Sequence, residues 1–74
     1  MPPTAKEVRR ALIRAGFVEV SQRGSHLRLE RVSNAGIQRV VIPMHVGDLK
    51  TGTLHAILSA AGMSEDDLRR LLKG

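Results

Sequence analysis

The sequence has no cysteine, no tryptophan and no tyrosine, and Phe17 is its only aromatic residue. Without cysteine there is no disulfide framework and no thiolate metal site. A cysteine-free chain suits a reducing compartment, and the expected location is the cytoplasm. Readers of single-stranded RNA stack bases on exposed aromatic side chains. One phenylalanine cannot do that, so any RNA contact must run through phosphates, sugars and shape. No apolar run approaches the roughly 18 residues a membrane span requires. The N-terminus has no apolar h-region, so neither a signal peptide nor a membrane partner is expected. Linkers, internal repeats and low-complexity segments are also missing.

Seventy-four residues make at most one domain, expected to span residues 1–74. A core of this size rarely supplies more than about 3–5 kcal/mol unaided. The chain must therefore stabilise itself by aliphatic packing or lean on a partner.

Acidic residues are scarce in the first half. Residues 1–39 hold eight basic and three acidic side chains, and residues 40–74 hold four of each. The net charge of +5 thus resides entirely in the first half. Nine of the twelve basic residues are arginine, whose planar fork suits bidentate phosphate contacts better than lysine does. A small basic domain often binds nucleic acid through phosphate neutralisation. A solvated basic surface, or one matched to an acidic protein, is the other reading.

Thr4-Ala5-Lys6-Glu7 is a capping box. Val8, Ala11, Leu12 and Ala15 follow at spacings of three and four, which predicts an amphipathic helix over 5–15 ending at Gly16. From Phe17 to Arg23 the period changes to two, with Val18 and Val20 expected on one face. Gly24-Ser25 suits a type II′ hairpin turn, with glycine at the first central position. Leu27 and Leu29 then alternate with Arg28 and Glu30. Residues 33–36 form a second turn, and the β-branched run Ile37–Ile42 is a third strand ended by Pro43. Leu54, Ile57, Leu58 and Ala61 line one face of a helix closed by Gly62. Ser64-Glu65-Asp66-Asp67 caps a last helix carrying Leu68, Leu71 and Leu72.

The two turns fix the strand registers. The first sets Arg23 opposite His26, Val20 opposite Leu29 and Glu19 opposite Glu30. The second sets Glu30 opposite Arg39, Leu29 opposite Val40 and Leu27 opposite Ile42. One face is then apolar, and the other carries Arg23, His26, Arg28, Glu30 and Arg39. His26 falls opposite Pro43, close to Met44 and His45. The expected fold is α+β in two layers, order α-β-β-β-α(-α). A three-stranded antiparallel sheet carries helices on one face, as in a double-stranded-RNA-binding (dsRBD-like) fold.

His26 therefore stands at a strand start beside the Gly24 turn, on the polar face among arginines. An imidazole so placed can take the proton from a ribose 2′-hydroxyl. Attack on the adjacent phosphate then leaves a 2′,3′-cyclic phosphate and a 5′-hydroxyl, with arginines stabilising the transition state and no metal required. From the residues alone, the first reading of the position is a polar, solvated histidine beside a turn. His45 could protonate the leaving oxygen, contact a phosphate, or hold a loop carbonyl. Ser25 has no carboxylate–histidine relay behind it, so a hydrolase triad is not expected, although it could assist at a phosphate. His55 sits at a helix flank. Three histidines without a ligand-spaced carboxylate make a poor metal site. Arg23, Arg28 and Arg39 on the strands, with Lys6 and Arg10 on the first helix, are the expected RNA contacts. Basic residues on a helix such as this most often form just a solvated face.

Four segments occur in a fixed order: Ala15-Gly16-Phe17, Gly24-Ser25-His26, Pro43-Met44-His45, and Leu49-Lys50-Thr51-Gly52-Thr53-Leu54 leading to Ala61-Gly62-Met63-Ser64. With them the chain resembles the HicA family of bacterial toxins, small mRNA interferases of type II toxin–antitoxin modules. The resemblance implies the dsRBD-like fold, an endoribonuclease acting on mRNA in the bacterial cytoplasm, and inhibition by a HicB-type antitoxin that covers the active site. The family's catalytic histidine matches His26, while its motif does not fix a second catalytic group. No cofactor is implied. A non-catalytic double-stranded-RNA-binding module using the same basic face is the alternative.

Overall fold

The computed structural model describes residues 2–74. Its elements are α1 (Ala5–Arg14), β1 (Val18–Arg23), β2 (His26–Ser33), β3 (Gly36–Pro43), α2 (Thr51–Ala61) and α3 (Glu65–Lys73). This is the α+β order read from the sequence.

Two of the helices start at reciprocal caps. The Glu7 backbone N–H donates to Thr4 Oγ1 at 3.1 Å, and the Thr4 N–H donates to Glu7 Oε1 at 2.9 Å. Ser64 and Asp67 repeat the arrangement at 3.1 and 2.9 Å. Hydrogen bonds from the Thr4 backbone and then its side chain hold the Glu7 carboxyl below its ordinary value. Ser64 does the same for Asp67. A carboxyl depressed in the folded state stabilises the fold above the ordinary carboxylate range, and that contribution is lost as pH falls through the range. Urea midpoints should therefore drop on acidification, and a Glu7→Gln, Asp67→Asn double variant should show a flatter acid limb. Parallel limbs for the two proteins would rule the caps out as the acid-sensitive elements.

The sheet order is β1-β2-β3, antiparallel throughout. The β2–β3 register is the one read from the sequence: Glu30 opposite Arg39, Leu29 opposite Val40, Leu27 opposite Ile42 and His26 opposite Pro43. The β1–β2 register agrees only near the turn, where Arg23 faces His26. Further along, a bulge between Glu19 and Ser21 inserts one residue. Glu19, not Val20, then faces Leu29, and Val18 faces Glu30. The bulge turns Glu19 toward α1, where its carboxylate accepts from Arg9 Nη2 at 2.8 Å. Val18 and Val20 are left 62% and 49% exposed. Phe17, just before the strand, supplies the buried apolar group instead.

The covered face of the sheet contributes Leu27, Leu29, Val40 and Ile42 to the core. Val8, Ala11 and Leu12 of α1, and Leu54, Ile57, Leu58 and Ala61 of α2, complete it from the helix layer. The helix α3 packs against α1 and inserts Leu68. At the far end of α1, Arg14 Nη1 donates to the Leu71 carbonyl at 2.6 Å, joining the C-terminal ends of α1 and α3. Gly62 ends α2 with φ +68°, and a Cβ at that position would lie 2.7 Å from Gln38 Nε2. The left-handed backbone favours glycine there, and a side chain would also displace the Gln38 amide.

The sequence singled out no role for Arg31, yet it ties the layers together. Strand alternation turns it to the covered side, half-buried. Nη1 donates to the Ala15 carbonyl at 2.9 Å and Nη2 to the Ala61 carbonyl at 3.2 Å. Nε donates to Gln38 Oε1 at 2.8 Å. Its guanidinium carbon lies 4.5 Å from the Phe17 ring centroid. One side chain thus serves the C-terminal carbonyls of both covering helices.

Candidate active site

The open face of the sheet is organised by the Gly24-Ser25 turn. Gly24 has φ +56°, and among the described residues no non-glycine residue has positive φ. That combination fits a type II′ turn and excludes type I′, which would need positive φ at Ser25 as well. The turn delivers Arg23 and His26 to opposing positions on the two strands. Alternation along β2 then places Arg28 on the same side as His26. Both His26 and Arg28 are exposed.

The loop after β3 closes on this turn. The Met44 backbone N–H donates to the Ser25 carbonyl at 2.6 Å. His45 Nδ1 is hydrogen-bonded to Ser25 Oγ at 2.9 Å. The His26 and His45 rings have centroids 6.3 Å apart and planes at 80°. The register read from the sequence set His45 close to His26, and the hydrogen bond to Ser25 joins all three in one cluster.

The basic residues divide. Arg23 and Arg28 make no hydrogen bond or ion pair with other side chains among the described residues. Arg39 lies further along the same face and is paired with Glu30 at 3.3 Å. On α1, Arg9 and Arg14 are occupied by Glu19 and by the end of α3. Lys6 and Arg10 remain exposed. They belong to the helix layer behind the sheet, but the start of α1 is bonded to the His45 loop. The Ala5 N–H donates to the Gly47 carbonyl and the Leu49 N–H to the Pro3 carbonyl, both at 3.0 Å. Lys6 therefore stands at the same end of the molecule as His45, with Arg10 one turn further on.

The open face also carries apolar side chains that the sequence did not lead one to expect there. Val18, Val32, Ile37 and Val41 are all exposed. The strand pairing sets Val32 opposite Ile37 and Arg28 opposite Val41, on the side that holds His26. A cavity of about 670 Å³ is bounded by Pro3, Thr4, Leu49, Leu54, Leu68 and Leu72 among others. None of the histidine–arginine cluster lines it. The chemistry-bearing residues sit on an open surface, the shape a nucleic-acid backbone can approach. Among the described residues no three His, Cys, Asp or Glu side chains are grouped to hold a metal ion. No described helix is long and apolar enough to cross a membrane.

The fold and the cluster define a small basic α+β domain of the dsRBD-like type, with histidines and arginines on its uncovered sheet face. Comparison with family models carries this further. The model described as the HicA toxin of bacterial toxin–antitoxin systems matches residues 5–63, and the chain belongs to that family. The match covers α1 through α2 and stops before α3. Comparison with curated proteins returns no match.

Proposed function

We propose that this HicA-family toxin is a metal-independent endoribonuclease that cleaves mRNA, with His26 as general base. The observation that carries the reading is the exposed His26 imidazole on an open face beside two unpaired arginines, Arg23 and Arg28. His26 takes the proton from a ribose 2′-hydroxyl. The 2′-oxygen bonds to phosphorus and the bond to the 5′-oxygen breaks, leaving a 2′,3′-cyclic phosphate and a 5′-hydroxyl. The Arg23 and Arg28 guanidiniums stabilise the charge that builds on the phosphoryl oxygens. Arg39, Lys6 and Arg10 extend the positive surface along the transcript, with affinity that falls as salt rises.

The inhibiting partner is a HicB-type antitoxin in the bacterial cytosol, seated on the same face. Exposed valines and an isoleucine interleaved with arginine suit a protein surface that is partly apolar and partly acidic. Sealing that face would hide His26 from RNA.

Product chemistry tests the activity. Purified toxin incubated with mRNA and a chelator should yield ends bearing cyclic phosphate and free 5′-hydroxyl. RNA retained on the protein without cleavage would favour the non-catalytic double-stranded-RNA-binding module instead. Cleavage abolished by the chelator would remove the metal-independent mechanism.

A further inference from the structure

We propose that His45 is the second proton-transfer group, the general acid that protonates the departing 5′-oxygen, and that Ser25 is its positioning residue. This rests on the ribonuclease reading of the same site. His45 lies on the loop after β3, outside the strand that carries His26. Two bonds fix that loop to the hairpin turn: Met44 N–H to the Ser25 carbonyl at 2.6 Å, and Ser25 Oγ to His45 Nδ1 at 2.9 Å. Ser25 thereby occupies one ring nitrogen of His45 and leaves Nε2 as the nitrogen able to reach substrate. In the imidazolium form Nδ1–H donates to the serine oxygen, and the Nε2 proton is the one available for transfer.

The spacing suits the reaction. The two rings have centroids 6.3 Å apart and stand nearly perpendicular. They are too far apart for a direct hydrogen bond of about 2.7–3.2 Å between them. Both rings are exposed on one side of the molecule, so a single phosphodiester lying over them can meet His26 at its attacking oxygen and His45 at its leaving oxygen. The protons balance. His26 gains the proton of the 2′-hydroxyl as the bond from that oxygen to phosphorus forms. His45 gives its Nε2 proton to the 5′-oxygen as the bond from phosphorus to that oxygen breaks. Water exchange afterwards returns both rings to their starting states. Arg23 and Arg28 are permanently charged and cannot serve as the acid. Among Arg23, Ser25, His26, Arg28 and His45 the titratable groups besides arginine are the two histidines, and Asp48, further along the same loop, is bridged to Thr4 at the start of α1.

A substrate with sulfur in place of the bridging 5′-oxygen separates acid from base, because a departing thiolate needs no proton. His45→Ala should slow cleavage of the ordinary linkage by about 10²-fold, the low end for acid–base catalysis because an open site admits water as a substitute acid. The same variant should cut the sulfur linkage near the wild-type rate, whereas His26→Ala should be slow on both. His45→Gln retains a hydrogen-bonding group for Ser25 but cannot transfer the proton, so it should behave like His45→Ala even if the loop loosens in the alanine variant. Ser25→Ala should lower kcat several-fold without changing KM, and Ser25→Thr should restore it. Equal losses on both linkages in the His45 variants, or wild-type cleavage of the ordinary linkage, would overturn the assignment. A wild-type protein that cuts neither substrate would remove the ribonuclease reading itself, and the acid with it.

Discussion

Replacing His26 by alanine is expected to slow RNA cleavage by about 10²–10⁴-fold, the usual contribution of a positioned general base. No neighbouring group can take over its position. The imidazole projects from the first residue of β2, directly after the turn, and its strand partners are Arg23 and Pro43. Neither can accept a proton from a ribose hydroxyl near neutral pH. His45 is held to Ser25 on the neighbouring loop, with its ring centroid 6.3 Å away. The variant should fold normally, because an exposed side chain without buried contacts usually changes stability by no more than about 0.5 kcal/mol. Urea midpoints of the two proteins should therefore coincide while their single-turnover rates on one defined oligonucleotide diverge. A variant that cleaves at the wild-type rate would show that His26 is only a solvated residue beside a turn.

The parts of this molecule legible in its sequence are those set by short-range rules. The Thr4–Glu7 and Ser64–Asp67 boxes, the Gly24-Ser25 turn and the glycine that ends α2 each depend on a few adjacent residues. The β2–β3 register was legible because two independent constraints agreed, the turn at 33–36 and the alternation of Leu27, Leu29, Val40 and Ile42. That agreement also placed His45 near His26. The β1 register was not legible beyond the turn. Alternation of Val18 and Val20 looks like a buried face, and the sequence holds no local mark of a bulge. What decides the matter is Arg9 reaching Glu19 across ten residues of chain, together with Phe17 filling the core position. Pairing between distant elements of this kind leaves no periodic trace. The bond from Ser25 to His45 is of the same type, spanning twenty residues.

Arg31 is the clearest product of such long-range pairing, and its removal should cost much of the fold's stability. Arg31→Met is expected to cost about 2–3 kcal/mol, since hydrogen bonds to a charged group contribute roughly 1.5–3 kcal/mol each and the side chain is only half-buried. Methionine keeps an apolar stem against Phe17. It supplies no donor, so the Ala15 carbonyl loses the guanidinium bond at 2.9 Å, while the Ala61 carbonyl retains only the one from Gln38 Nε2 at 3.1 Å. Lysine in the same place should fall between the two. Its ammonium preserves the charge at the helix ends but cannot fork between carbonyls of α1 and α2. In a domain whose core supplies only about 3–5 kcal/mol, the methionine variant should be measurably unfolded at room temperature. Urea titrations followed by circular dichroism should rank the proteins wild type, lysine, methionine. Arg31 faces the helix layer while His26 faces solvent, so activity per folded molecule should not change. A methionine variant as stable as the wild type would mean that the helix ends are held by packing alone. A variant that is stable but inactive would mean that the covered side of the sheet communicates with the open one.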